Sequence, residues 1–168
     1  LDTIVATATP PGLGGVAIVR ISGSKALSVL KMAVKNGQQK VWQARYMYYC
    51  EIVDEHGQTV DKALAVYMPS PHSYTGEDVA EIHCHGGSVL ASVIIDICLY
   101  HGARLAQPGE FTYRAFMAGK LDLAEAESVL SLIEAKSKNA VVLAANNLNG
   151  AFSESLEKLR SDILDLIA

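Results

Sequence analysis

The sequence lacks the signals that would fix a nucleotide site, a disulfide framework or a membrane span. Neither G-x-x-x-x-G-K-S/T nor G-x-G-x-x-G occurs, which removes the commonest phosphate-cradling loops. Its three cysteines, Cys50, Cys84 and Cys98, leave one over from any pairing, and none forms a C-x-x-C. A reducing, cytosol-like compartment is therefore the simpler reading. Blocks of like charge are missing, and 14 Lys+Arg against 18 Asp+Glu give a net charge of −4 and a pI near 5.7. That balance argues against a free-standing nucleic-acid binder, which would carry a basic face. The most apolar window, Val89 to Leu99, is broken by Asp96 and is too short to cross a bilayer. The first residues, Leu1-Asp2-Thr3-Ile4-Val5, have no basic region followed by a long apolar stretch and do not read as a secretory leader. The expectation is a soluble, cytoplasmic protein with no membrane partner.

What is present is core material. Half of the 168 residues are hydrophobic and the mean hydropathy is +0.21, enough to bury a core and to exclude disorder. The chain changes texture along its length. The first part alternates strand-like and helix-like patterns, whereas from Lys120 onward there is no proline and a single glycine, Gly150, in a helical composition. Val16 to Ile21 reads as a buried strand, and Ser24 to Val34 as a helix stopped by Asn36-Gly37. Tyr46 to Val53 and Ala63 to Met68 read as strands joined by a turn at Glu55-His56-Gly57. Val79 to His85 alternates as a strand. Ser88 then caps a helix with Val89, Leu90, Val93, Ile94, Ile97 and Cys98 on its apolar stripe, stopped by Gly102. A short helix runs from Pro108-Gly109 to Met117, Asp122 caps the next, and a last helix runs from about Asn139 to Ala168. That last helix ends on apolar residues without a stop signal, which reads as a cut inside a longer helical region.

Few residues stand out chemically. Arg20 sits in an otherwise apolar strand, and its five donors require acceptors, supplied either by an internal ion pair or by a polar ligand. Glu81, His83 and His85 share one face of their strand because side chains alternate with period two, while Cys84 points to the other. That set could bind a metal or serve acid-base chemistry, although neighbours on one strand face are about 7 Å apart and all three would need a bent strand. The alternative is a set of satisfied residues lining a cleft. Gly86-Gly87-Ser88 offers backbone N–H groups at a helix start, and Pro10-Pro11-Gly12-Leu13-Gly14-Gly15 reads as a close-approach loop. Lys120, after Gly119, is exposed by default.

Six ordered blocks carry a resemblance. They are Asp2-Thr3-Ile4-Val5-Ala6 with Thr9 to Val16; Ile18 to Gly23; Ser73-Tyr74-Thr75-Gly76-Glu77-Asp78-Val79; Glu81 to Gly87; Pro108-Gly109-Glu110-Phe111-Thr112; and Arg114-Ala115-Phe116 through Gly119-Lys120-Leu121-Asp122-Leu123 to Ala126-Glu127. Over essentially its whole length the chain resembles the N-terminal part of the MnmE (TrmE) family of tRNA-modification GTPases. Leu13 departs from the family, which usually has Arg at that point of the loop.

The resemblance implies an α+β fold: a mixed-sheet domain like the tetrahydrofolate-binding domain of aminomethyltransferases over residues 1–118, then the start of an all-α domain over 119–168, with the GTPase domain absent. It implies a homodimer formed through the N-terminal domain and a bound 5-formyl- or 5,10-methylene-tetrahydrofolate that donates a one-carbon unit. In the parent protein the product is a (carboxymethyl)aminomethyl group at C5 of the wobble uridine, U34, of certain tRNAs, made together with the flavoprotein MnmG (GidA). GTP, potassium and magnesium belong to the parent only, and no turnover is expected of this chain alone. The positions matching the family's folate contacts are Arg20, Glu81 and Lys120, with no catalytic or metal-binding residue implied. Two other readings compete: a small metal-dependent enzyme using Glu81, His83 and His85, and a structural dimerisation domain whose folate cleft has decayed.

Overall fold

The computed structural model describes residues 2–167; Leu1 and Ala168, the outermost residues of the N-terminal segment and of the expected last helix, lie outside the described residues. The chain divides into two compact units, Leu1–Phe111 and Thr112–Ala168. Among the described residues, the first unit holds six strands: β1 (Ile4–Thr7), β2 (Val16–Ser22), β3 (Tyr48–Val53), β4 (Thr59–Met68), β5 (Val79–His85) and β6 (Arg104–Leu105). Helices α1 (Ala26–Ala33) and α2 (Ser88–Tyr100) lie between them in the chain. The sheet order is β3-β4-β5-β2-β1-β6, antiparallel throughout except for the parallel β1–β6 pair. The fold is therefore α+β with a mixed sheet.

Alternation divides this sheet into two unlike faces. Ala17, Val19 and Ile21 of β2, Ala63 and Ala65 of β4, and Ala80, Ile82 and Cys84 of β5 point into one core with Val29 and Leu30 of α1 and Ile94, Ile97 and Cys98 of α2. The intervening residues Ile18, Arg20, Glu81 and His83 are only half-buried, and Val16, Tyr49 and Leu64 are exposed. The segment expected as a wholly buried strand is thus buried on one side only.

Several boundaries differ from the sequence expectations, each for a local reason. Helix α1 stops at Ala33 because Val34 turns extended and bridges to Ile52, three residues before the glycine expected to end it. Ser88 opens α2 as its first helical residue; Gly87 holds the cap position and no side chain caps the end. The stripe of α2 is also rotated: Ala91, Ile94, Ile97 and Cys98 are buried whereas Val89 and Val93 are not, since an almost wholly apolar helix gives periodicity little to choose from. β4 starts at Thr59, four residues before the expected Ala63, and β1 and β6 are strands in addition to the expected ones. The turn between β3 and β4 is where expected. Asp54 Oδ1 accepts from the N–H groups of His56 and Gln58 at 3.0 and 2.8 Å, and Gly57 takes φ +77°.

The second unit is helical. α3 (Glu110–Met117) leads into it, followed by α4 (Leu123–Glu134), α5 (Lys138–Leu148) and α6 (Ala151–Ile167). Asp122 caps α4 as expected, within a reciprocal box: its Oδ1 accepts from Glu125 N–H at 2.8 Å and Glu125 Oε2 accepts from Asp122 N–H at 2.7 Å. The single long helix expected from Asn139 is two helices, broken at Gly150, whose φ of +87° no continuous helix allows. No helix among the described residues is long and apolar enough to cross a membrane.

Two predictions follow from the packing of the first unit. A Cβ placed on Gly86 would lie 1.9 Å from the carbonyl oxygen of Gly14 and 3.0 Å from the nitrogen of Val16, both backbone atoms that cannot rotate away. Gly86→Ala should lower stability by about 2 kcal/mol, read in urea as a lower midpoint at unchanged slope. The three cysteines are free and buried; burial raises the thiol pKa of each, that of Cys98 to about 12. All three should resist a disulfide reagent at about pH 8 in the native protein and react at once in concentrated guanidinium chloride.

Candidate functional site

The half-buried face of the sheet carries the polar cluster. β2 and β5 pair antiparallel with Arg20 directly opposite Glu81 and Ile18 opposite His83. Side chains opposed across an antiparallel pair have Cβ atoms about 5 Å apart, so an Arg and a Glu at these positions are brought together by the ladder itself. Arg20 Nε donates to Glu81 Oε1 at 2.8 Å, with the side chains 27% and 12% exposed. The other carboxylate oxygen, Oε2, accepts from His83 Nε2 at 3.0 Å. Glu81 is therefore shared between a cation from the neighbouring strand and an imidazole two residues along its own.

Arg20 has further neighbours that are remote in sequence. Its guanidinium carbon lies 5.4 Å from the centroid of the Tyr74 ring and 5.8 Å from that of Phe111, both within cation–π range. Among the described residues its terminal nitrogens make no hydrogen bond to protein, so the rings occupy the space around donors that still have capacity. Tyr74 is held by the segment between β4 and β5. There Thr75, fully buried, shares a 2.7 Å hydrogen bond with Ser22, and Ser22 Oγ donates to Glu77 Oε2 at 2.8 Å. Phe111 is held by its neighbour Glu110, which takes both terminal nitrogens of Arg104 at 2.8 and 2.6 Å and the N–H of Gln107 at 2.8 Å. Arg104 also pairs with Asp2; the two carboxylates, Glu110 first, hold its guanidinium well above the ordinary arginine pKa.

His85 Nδ1 donates to Asp61 Oδ1 at 2.7 Å and its backbone N–H to Asp61 Oδ2 at 3.0 Å, so it turns toward β4 and away from His83. His83 and His85 thus serve different carboxylates, and no group of three or more His, Cys, Asp or Glu among the described residues could hold a metal ion. Gly86 is explained by the close approach of Gly14 and by its own N–H donating to Gly15 at 3.2 Å. The Pro10 to Gly14 loop and the start of α2 line a cavity of about 410 Å³ whose wall is mainly apolar. Leu13 is fully exposed. The structure joins Arg20 to Glu81 in the first unit; Lys120 stands in the second, exposed, its N–H closing the end of α3 on Ala115 O at 2.9 Å.

Comparison with known proteins bears on this arrangement. The family described as "GTP-binding protein TrmE N-terminus" matches residues 3–120. The chain is 48% identical over 99% of its length to the tRNA modification GTPase MnmE of Fervidobacterium nodosum, and 46% identical over 99% to that of Lactiplantibacillus plantarum. The chain belongs to the TrmE N-terminus family. It spans 37% and 36% of the length of those two relatives. The TrmE N-terminus match takes in Arg20, Glu81 and Lys120, and with them Tyr74 and Phe111, which sequence reasoning left as parts of motifs without a role. Nothing in the spacing of residues 20, 74 and 111 announces their meeting, since Tyr74 lies between β4 and β5 and Phe111 at the start of α3.

The separation of the histidines has a direct test. The purified protein exposed to zinc and then desalted should retain less than about 0.1 equivalent by elemental analysis. Stoichiometric zinc lost on His83→Gln would restore the metal reading.

Proposed function

We propose that this chain is the folate-binding and dimerising module of a tRNA-modification GTPase. The observation that carries the reading is the Arg20–Glu81 ion pair on the half-buried sheet face of a chain in this family. A pterin ring presents a 2-amino group and a ring N–H side by side, and a carboxylate accepts from both at once. A carbonyl or formyl oxygen on the same ligand suits a guanidinium. Glu81 and Arg20 offer that acceptor and donor on adjoining strands, so the residues present fit the group. Lys120 is assigned to the same ligand by the resemblance alone, as a cation for a ligand carboxylate or carbonyl. His83 becomes the residue that orients Glu81.

The ligand proposed is 5-formyl- or 5,10-methylene-tetrahydrofolate, which when bound supplies a one-carbon unit. The domain would have the fold of the aminomethyltransferase folate domains over residues 1–118 and pair with a second copy of itself. Within the full-length cytoplasmic protein, the module would serve modification of U34 in tRNA, with the MnmG (GidA) flavoprotein as partner. GTP, potassium and magnesium would bind elsewhere in that protein. The curated relatives bear the name tRNA modification GTPase, which supports the setting.

Calorimetry with 5-formyltetrahydrofolate tests the reading. Binding in the micromolar range is expected, and no heat at high micromolar ligand would sink it. Glu81→Ala should lose binding by at least about 100-fold, the cost of leaving two ligand donors unpaired, with the dimer mass in light scattering unchanged. Unchanged affinity in that variant would show that Glu81 is not the pterin acceptor.

A further inference from the structure

Two aromatic rings from segments far apart in the chain converge on the Arg20–Glu81 ion pair of the sheet face. We infer that Tyr74 and Phe111 form the wall against which the flat half of a reduced pterin lies while Glu81 and Arg20 hold its edge. The inference rests on the folate reading and says which part of the ligand meets which residues.

In a tetrahydropterin the pyrazine half is reduced and puckered, whereas the pyrimidinone half stays planar. That planar half also carries the 2-amino group, the ring N–H and the 4-oxo group. If Glu81 and Arg20 read those groups, the planar part must lie at the ion pair, where the Tyr74 and Phe111 rings are, 5.4 and 5.8 Å from the guanidinium carbon. A flat ring held at its edge by charged groups gains most from aromatic faces at the same place.

The rings are also presented as a ligand surface requires. Tyr74 is 37% exposed and Phe111 half-buried, so neither is spent in the hydrophobic core. Both are nonetheless fixed: Tyr74 by the buried Thr75–Ser22 hydrogen bond beside it, Phe111 by the forked Arg104–Glu110 pair one residue before it. Rings that only shielded the ion pair from water would not need two separate polar anchors. Side chains already ordered lose little entropy when a ligand arrives.

The test uses the chain as it stands, with 5-formyltetrahydrofolate and with 6-methyl-5,6,7,8-tetrahydropterin, which keeps the ring and lacks the aminobenzoyl-glutamate tail. Tyr74→Leu and Phe111→Leu should each weaken both ligands by about tenfold, and by the same factor for the two, because the loss lies in the shared ring. Tyr74→Phe and Phe111→Tyr should bind within about twofold of the parent, which a lost hydroxyl contact or a displaced helix would not permit. Tyr74→Leu lies on an exposed loop and remains a usable probe if Phe111→Leu perturbs folding, as judged by circular dichroism. Parent-like affinity in both Leu variants, alongside lost binding in Glu81→Ala, would overturn this inference alone. Failure of the unaltered chain to bind either ligand would sink the folate reading and this inference with it.

Discussion

The pairing register of β2 with β5 is the constraint on which the rest depends. Seven residue pairs, from Val16↔His85 to Ser22↔Val79, fix which residues of the two central strands face the helices. Because side chains alternate with period two, a slip of one residue would carry Arg20 or its Glu81 partner to the helix-covered side and expose Val19, Ile21 and Ile82, all fully buried here. Burying a lone guanidinium or carboxylate costs several kcal/mol, so hydrophobic burial and ion pairing select the same register. The candidate site is a product of that selection. It needs no loop to bring its two charged groups together.

The same arrangement explains why the pair suits exchange with a ligand. At an effective dielectric constant of about 20, two unit charges about 4 Å apart attract by about 4 kcal/mol, and much of this is offset by lost hydration. With Arg20 27% exposed, water and a ligand's polar edge can both reach it, and a ligand that satisfies both partners can replace solvent at small net cost. The third group, His83, occupies the second oxygen of Glu81 at 3.0 Å. It limits the carboxylate to one orientation, with its plane set by donors on two sides.

Much of this fold was legible in the sequence, and the exceptions have physical causes. Strong alternation in Val79 to His85 and the cap residue Asp122 mark elements where the structure has them. β1 and β6, with four and two residues, are too short for periodicity to register. The rotated stripe of α2 and the break at Asn149-Gly150 show the limits of pattern reading: an almost wholly apolar helix has little preference of face in sequence, and a helical composition on both sides of a glycine hides a left-handed residue. At the site, the period-two argument put Glu81 and His83 on one face, and an unpaired charge in an apolar strand marked Arg20. Their pairing needed the strand order, in which β2 sits beside β5 although β3 and β4 intervene in the chain. Tyr74 and Phe111 needed more still, since one lies on a loop and the other near a helix start, where no periodicity operates.

A sheet with one face in the core and one face half-open separates stability from recognition. On the core side, residues such as Ile21, Ile82 and Ile94 are fully buried, and truncating any of them removes apolar contact that nothing can replace. On the other side, Arg20, Glu81, His83 and Tyr74 keep access to solvent, so a changed side chain there can be rehydrated. Partly exposed charge pairs contribute little to folding, on the order of 1 kcal/mol or less once screening and lost side-chain freedom are included. Binding requirements can therefore act on the open face while the fold answers to the covered one. Gly86 is where the two demands meet: it ends β5 beside His85, and its bare Cα lets the Gly14–Val16 backbone close against the strand. A side chain there would shift the β2 end of the ladder that aligns Arg20 with Glu81, so a change remote from the charged pair would reach it through register alone.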